Sequence, residues 1–201
     1  MIVLDVEASG LHPEKHSIVS IGALELARPE NRFYGECRVW DGAHIQDDAL
    51  AVNGFSREEV TNTKRQSEAE LVVAFLEWTM MIKDRTIAGQ NPGVLDRAMI
   101  EAAAHRAGRE VRLAHRTIDL HSVCYTHMLS QGVTPPFDAA KSHSALNLTA
   151  ILAYVGLPKE PEPHNALTGA LLEAEALSRL WYEKQLLDEY RQYPIPWLSG
   201  S

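Results

Sequence analysis

Asp5 and Glu7 stand one residue apart in the N-terminal run MIVLDVEASG, directly after the apolar residues Ile2, Val3 and Leu4. On a strand, that spacing points both carboxylates to one face. The apolar run puts them at the C-terminal end of a buried strand, where ligands bind in open α/β sheets. Carboxylates so close repel each other, and one takes up a proton unless a cation lies between them. Hard oxygen ligands of this kind suit Mg2+ or Mn2+. The bland alternative is an exposed strand end carrying two solvated acids.

Asp96 occurs in GQNPGVLDRAMIE, in the first turn of an expected helix that follows the strand RTIAG. An acid there also favours the helix dipole, by ~0.3–1 kcal/mol, and needs no further role. If that strand lies beside the first, a right-handed crossover brings Asp96 to the same sheet edge as Asp5 and Glu7. His164 follows a proline and opens the expected last helix, where a neutral imidazole could take a proton from water. His121 and His127 bracket Cys124 on another helix without sharing one tight face with it. They read as core or surface residues rather than as a zinc site.

The elements that must position these residues follow from periodicity and punctuation. MIVLDVE, HSIVSIGALELA and RFYGECRVW read as three leading strands, with the Gly/Pro-bearing turn ASGLHPEKHS after the first. SREE (56–59) and SEAE (67–70) fit the capping box, in which a serine hydroxyl and a glutamate satisfy orphan backbone donors reciprocally. Val72, Phe75, Leu76, Thr79 and Met80 then form one apolar stripe at helical period. RTIAG is a short strand, and VLDRAMIEAAAHRAG an alanine-rich helix closed at Gly108. RTIDL is a further strand, followed by a helix through HSVCYTHMLS. GVTPPFDAAKSHS is a loop, ALNLTAILAYVG a helix, LPKEPEPH a connector, and a last helix runs from 165 to 189. Strands first, then strands alternating with helices, indicate an α/β fold with a mixed central sheet of about five strands flanked by helices. The expected organisation is one domain over 1–190 and a C-terminal tail over 191–201.

Composition bounds the function. With 201 residues, 45% hydrophobic and 23% charged, the chain has the make-up of a globular protein. No apolar run approaches the roughly 20 residues that span a bilayer. The N-terminus lacks a basic, then long apolar, leader. Cys37 and Cys124 have no metal-like or disulfide-like spacing, so a reducing, cytoplasmic location is expected. A net charge of −8 argues against wide electrostatic wrapping of duplex DNA. A nucleic-acid enzyme with this balance would grip a chain end locally, through metals.

The ordered set DVEASGL, NPGVLD and HNAL resembles the histidine-bearing branch of the DEDD exonuclease superfamily. That branch includes ribonuclease T, oligoribonuclease and the proofreading subunits of bacterial replicative polymerases. The likeness covers nearly the whole chain: IVLDVEASGL with IVSIGALEL, then DDALAVNGFSREEV, AGQNPGVLDRAMI, and SALNLTAILAYVGLP leading to HNAL. It implies a ribonuclease-H-like fold and a site for two divalent cations, Mg2+ or Mn2+. Asp5 and Glu7 would hold metal directly, Asp96 would assist largely through water, and His164 would be the general base. Ala8, Ser9, Leu11, Asn53 and Phe55 would line the pocket of the terminal nucleotide. Stacking on an aromatic such as Phe55 holds an unpaired base by ~1–3 kcal/mol. The implied reaction is hydrolysis of the last phosphodiester at a 3′ end of single-stranded DNA or RNA, releasing nucleoside monophosphates.

One position departs from the pattern. The family's third motif reads His-x-Ala-x-x-Asp, and here His164 and Ala166 are followed by Gly169. Three explanations compete. Glu173, one helical turn on, could lean back over the vacant position as a metal ligand, or it could be an ordinary solvated helix residue. The chain could instead bind 3′ ends without hydrolysing them, as an adaptor with the exonuclease fold. Finally, the glycine could be a change that silences an active parent. Gly169→Asp is expected to raise activity strongly. The helix-rich C-terminal third and the YPIPWL tail are candidate surfaces for a polymerase or a second copy of the chain.

Overall fold

The computed structural model describes residues 1–198; the last three residues of the expected tail, 199–201, lie outside the described residues. Three strands come first: β1 (Ile2–Ala8), β2 (Ile18–Glu25) and β3 (Arg28–Glu36). Short helices α1 (Asp47–Asn53) and α2 (Arg57–Thr61) lead to α3 (Glu68–Met80). Then β4 (Ile87–Gly89), α4 (Asp96–Arg106), β5 (Thr117–Asp119) and α5 (Leu120–Ser130) alternate. A hairpin of two-residue strands, β6 (Phe137–Asp138) and β7 (His143–Ser144), precedes α6 (Leu148–Tyr154) and α7 (Ala166–Tyr182).

The five longer-range strands form one sheet in the order β3-β2-β1-β4-β5. β1 pairs antiparallel with β2 and parallel with β4, so the strand bearing Asp5 and Glu7 is the central one. Its side chains alternate between two layers, as the period of two requires. Ile2, Leu4 and Val6 join Phe75, Met99 and Ile100 in a core with α3 and α4. Val3 joins Leu120, Ile151, Leu172 and Leu177 in a second core with α5, α6 and α7. Asp5 and Glu7 share the face of Val3, so they project toward α7.

Both capping boxes form. Ser56 and Ser67 each accept from the backbone N–H three residues on, and Glu59 and Glu70 reach back to the serine N–H. The N-terminus of α7 lies directly on β2. A Cβ at Gly22 would run into the backbone of Ala166 and Leu167, so glycine there sets how closely the helix approaches the sheet.

Two expectations need correction. The last helix ends at Tyr182 rather than near 189, with Glu183 in the left-handed region (φ 55°, ψ 34°). The chain turns because buried groups on α7 recruit it. Glu175 accepts from the N–H groups of Leu186 and Leu187 at 2.8 and 2.9 Å, and Ser178 donates to the Lys184 carbonyl at 2.9 Å. The segment read as a loop over 132–144 contains the β6–β7 hairpin, whose two-residue strands are too short to show a period. The helix α1 was also not resolved in the sequence reading, for the same reason of length.

Residues 187–198 cover the second core. Leu187 and Ile195 are buried, and Trp197 lies against Tyr154 and His127 at ring-centroid distances of 5.6 and 4.5 Å. Among the described residues no helix is long and apolar enough to cross a membrane.

Candidate active site

The site is built where three chain segments meet at the C-terminal end of β1. The strand supplies Asp5 and Glu7. The first turn of α4 supplies Asp96, which is 7% exposed and whose Oδ1 accepts the N–H of Val6 at 3.0 Å. Asp5 Oδ1 accepts the same N–H at 2.9 Å. Two carboxylates from positions 91 residues apart in sequence therefore share one donor, and the donor lies between Asp5 and Glu7 on the strand. His164 comes from the connector before α7, its backbone N–H held by the Val52 carbonyl at 2.9 Å. Asn165 then caps the helix, accepting from the N–H groups of Leu167 and Thr168. These four residues line one cleft of about 540 Å³.

Two further glutamates line it. Glu173, on α7, is buried at 3% exposure, so the reading of it as a solvated helix residue is overturned. Its Oε1 accepts the N–H of Gln90, just past β4, at 3.1 Å, while Oε2 has no partner. Glu160, in the proline-rich connector, is also buried. Its Oε2 stands 3.7 Å from His164 Nδ1 and its Oε1 has no partner.

The electrostatics follow from this crowding. Removal from water pushes the Asp5 carboxyl well above the usual carboxylate range, and the charges of Glu173, Asp96, Glu7 and Glu160 push it the same way. Removal from water and the neighbouring Glu160 bring Glu7 up to about 7, against the opposing pull of His164. Asp96 also rises to about 7, mainly through burial, although its hydrogen bond from Val6 opposes the shift. Burial raises Glu160 and raises Glu173 well above the ordinary value. Of the residues lining the cleft, only Lys159 and His164 can carry positive charge, and Lys159 is paired with Glu162.

This set of residues fits divalent cations. Five carboxylates face one cleft, and Glu160 Oε1, Glu173 Oε2 and the Gln90 amide oxygen are buried acceptors without donors. Orphaned buried acceptors of this kind are costly, and hard cations with oxygen preference satisfy them.

The expected nucleotide-pocket residues stand around the end of β1 rather than in the acidic cleft. Ala8 ends the strand and packs against the first core. Ser9 is fully buried, its hydroxyl donating to the His44 carbonyl and accepting from the Ser17 N–H. Leu11 is exposed. Asn53 donates to the Ala8 carbonyl at 3.2 Å. The ring of Phe55 is half-buried beside Val19, Val39, Leu50 and Val60, with the Arg65 guanidinium 5.4 Å above it.

Sequence reasoning missed Glu160. It sits four residues before His164 in a connector without periodicity, and its one signal was indirect: a carboxylate lacking at position 169. No side chain at 169 could take its ordinary place without displacement, because a Cβ built on Gly169 would overlap the Asp5 carboxylate.

Residues 2–177 match the RNase T family, which is described as an exonuclease family. Ribonuclease T of Yersinia pseudotuberculosis serotype O:1b is 28% identical over 170 residues, covering 72% of this chain and 77% of that protein. Ribonuclease T of Klebsiella pneumoniae subsp. pneumoniae is 24% identical over 168 residues, with the same coverage of 72% and 77%. Among solved structures, E. coli exonuclease I in complex with a dT13 oligonucleotide superposes with a TM-score of 0.67 at 15% identity, covering 89% of this chain. Exonuclease I from Methylocaldum szegediense gives 0.69 at 18% identity over 91% of this chain. The chain spans 40–41% of the length of those two exonuclease I chains, so that likeness is one of fold. The five-stranded mixed sheet with its flanking helices is the ribonuclease-H-like fold these nucleases share.

Proposed function

The chain belongs to the RNase T exonuclease family, within the DEDD superfamily, and from that premise we propose that it hydrolyses single-stranded DNA or RNA from the 3′ end. The products are nucleoside monophosphates, and the reaction depends on divalent cations, Mg2+ or Mn2+. One observation carries the reading: Asp5 and Asp96 share a single N–H beside Glu7, with His164 lining the same cleft. Acids in that density are tolerable when cations neutralise them.

Asp5 and Glu7 would hold the cations from the strand. Asp96, whose Oδ1 accepts the Val6 N–H, would assist them through water. When bound, the cations supply charge neutralisation at the scissile phosphate and at the departing 3′ oxygen. His164, anchored at its backbone by Val52 and flanked by Glu160, accepts the proton of the attacking water. Ala8, Ser9, Leu11, Asn53 and Phe55 shape the path of the strand end beyond β1. Ser9 and Asn53 act there by fixing the loop backbone, since their polar atoms are engaged with it. Ribonuclease T by name acts on RNA, and the exonuclease I structure holds a dT13 oligonucleotide; both sugars are therefore substrates to test. Cys37 and Cys124, buried and free, suit a reducing cytoplasm.

The test uses 5′-labelled single-stranded DNA and RNA oligonucleotides with Mg2+ or Mn2+. The expected result is a ladder shortening from the 3′ end, slowed roughly 10³-fold by Asp5→Asn. Oligonucleotides that bind but stay intact at millimolar Mn2+ would instead identify a non-hydrolytic 3′-end binder.

A further inference from the structure

We propose that Glu160 is the fourth carboxylate of the cation site, reaching it from the connector before α7 and using the space that Gly169 leaves open. This rests on the nuclease reading above and names a ligand for it.

Glu160 is 7% exposed, and its Oε1 has no hydrogen-bond donor. A buried, unpaired carboxylate oxygen aimed into a cleft is an unmet demand for positive charge. A Glu160 carboxylate oxygen lies within 4.8 Å of a Glu7 oxygen and of a ring nitrogen of His164, so Glu160 reaches the strand acid beside the general base. The helix makes room for this arrangement. A Cβ on Gly169 would stand 3.4 Å from Glu160 Oε1 and would overlap the Asp5 carboxylate. Asp5 is itself tethered through Oδ1 to the Val6 N–H, so it does not swing aside freely. Glycine at 169 thus lets two carboxylates, from β1 and from the connector, converge where a side chain from α7 would otherwise project.

Glu173 is the rival for this role. Its Oε1 is committed to the Gln90 N–H, and its Oε2 lies 2.8 Å from where a Cβ on Gly89 would stand, packed against the end of β4. Among the described residues, the trio that closes to ligand spacing contains Glu160 and not Glu173.

The experiment is Mn2+ binding to the full chain near neutral pH, read from the electron paramagnetic resonance signal of free Mn2+. Melting of each metal-free variant is recorded alongside. Glu160→Gln should weaken Mn2+ binding by at least ~10-fold while the metal-free protein melts no lower than wild type, because glutamine keeps the shape and removes one carboxylate from a crowd of acids. Gly169→Asp, the change that the motif pattern favours, should not tighten binding, since its side chain meets the Asp5 carboxylate. Unchanged Mn2+ binding in Glu160→Gln, with binding lost in Asp5→Asn, overturns the role of Glu160 and leaves the metal-dependent nuclease intact. Tighter binding in Gly169→Asp also overturns it. Absence of Mn2+ uptake by wild type at millimolar metal overturns both readings.

Discussion

Glu173 and Glu175 lie two residues apart on α7, at 3% and 0% exposure, yet their surroundings are opposite. Glu175 has every partner it needs: the Arg179 Nε donates to it at 2.8 Å, and the Leu186 and Leu187 N–H groups complete the set. Glu68 is treated alike, with the Arg106 guanidinium, the Ser17 hydroxyl and the Ile18 N–H around it. Glu173 has one backbone donor and a second oxygen left over, and its neighbours are other acids. The fold satisfies buried glutamates internally at Glu68, at Glu175 and also at Glu25, which accepts from the Arg28 guanidinium and the Asn31 amide. Where it leaves several unsatisfied around one cleft, the acids are held partly by protons, and a bound cation, as proposed above, would neutralise them. Buried acid with a guanidinium marks architecture; buried acid without one marks the site.

The largest test of this contrast strips the satisfied side. Arg179 donates to Glu175 and also to the carbonyls of Val155 and Tyr193, both at 2.9 Å. Arg179→Ala takes the guanidinium from Glu175 and leaves it only the Leu186 and Leu187 N–H groups, so a loss of ~3–5 kcal/mol is expected in urea unfolding. A loss near zero would show that the pair is not what holds this region. Next in size is the response of the acidic cleft to pH. The carboxyls of Asp5, Glu7, Asp96, Glu160 and Glu173 are all raised in the fold, and His164 and Lys159 are the basic groups that face them. Groups with raised folded values favour the fold at low pH and withdraw that support as they ionise. In chelator, the melting temperature should therefore fall as pH rises from 5 to 8, through the value of about 7 for Glu7 and Asp96. Excess Mn2+ should remove most of that fall, as followed by thermal-shift fluorescence. A flat metal-free profile would contradict the crowding. The smallest effect is expected from Glu173→Gln, which keeps the acceptor for the Gln90 N–H and removes the charge. A gain of ~1 kcal/mol, roughly 2–4 °C in melting temperature for a domain of this size, should appear in chelator at pH 8. As the pH falls and the raised Glu173 carboxyl takes up its proton, the gain should shrink.

Local chemistry made much of this legible in the sequence. Period-two alternation put Asp5 and Glu7 on one face, and the two serine–glutamate pairs marked the starts of α2 and α3. The crossover from β4 into α4 brought Asp96 to β1, where it meets the Val6 N–H. Glu160 escaped because nothing in LPKEPEPH is periodic, and its burial comes entirely from what folds around it. The end of α7 escaped for a related reason. Residues 183–189 have ordinary helical propensity, and it is Glu175 and Ser178, buried by distant contacts, that draw the chain away. The meaning of Gly169 was half legible. The missing acid could be read, but the overlap with Asp5 that glycine avoids requires coordinates.

The two apolar layers are unequal in when they can be completed. The one against α3 and α4 draws on residues between 2 and 113, whereas the one beneath α7 needs Leu187 and packs Trp197 against it. Arg179 cannot fill its bonds until the carbonyls of Tyr190 and Tyr193 arrive. Since domains assemble from the N-terminus as the chain leaves the ribosome, β1 with its two acids emerges long before the helix that closes over them. The wall of the cleft that α7 provides is therefore completed late, once Tyr190 and Tyr193 have followed the helix and filled the bonds of Arg179.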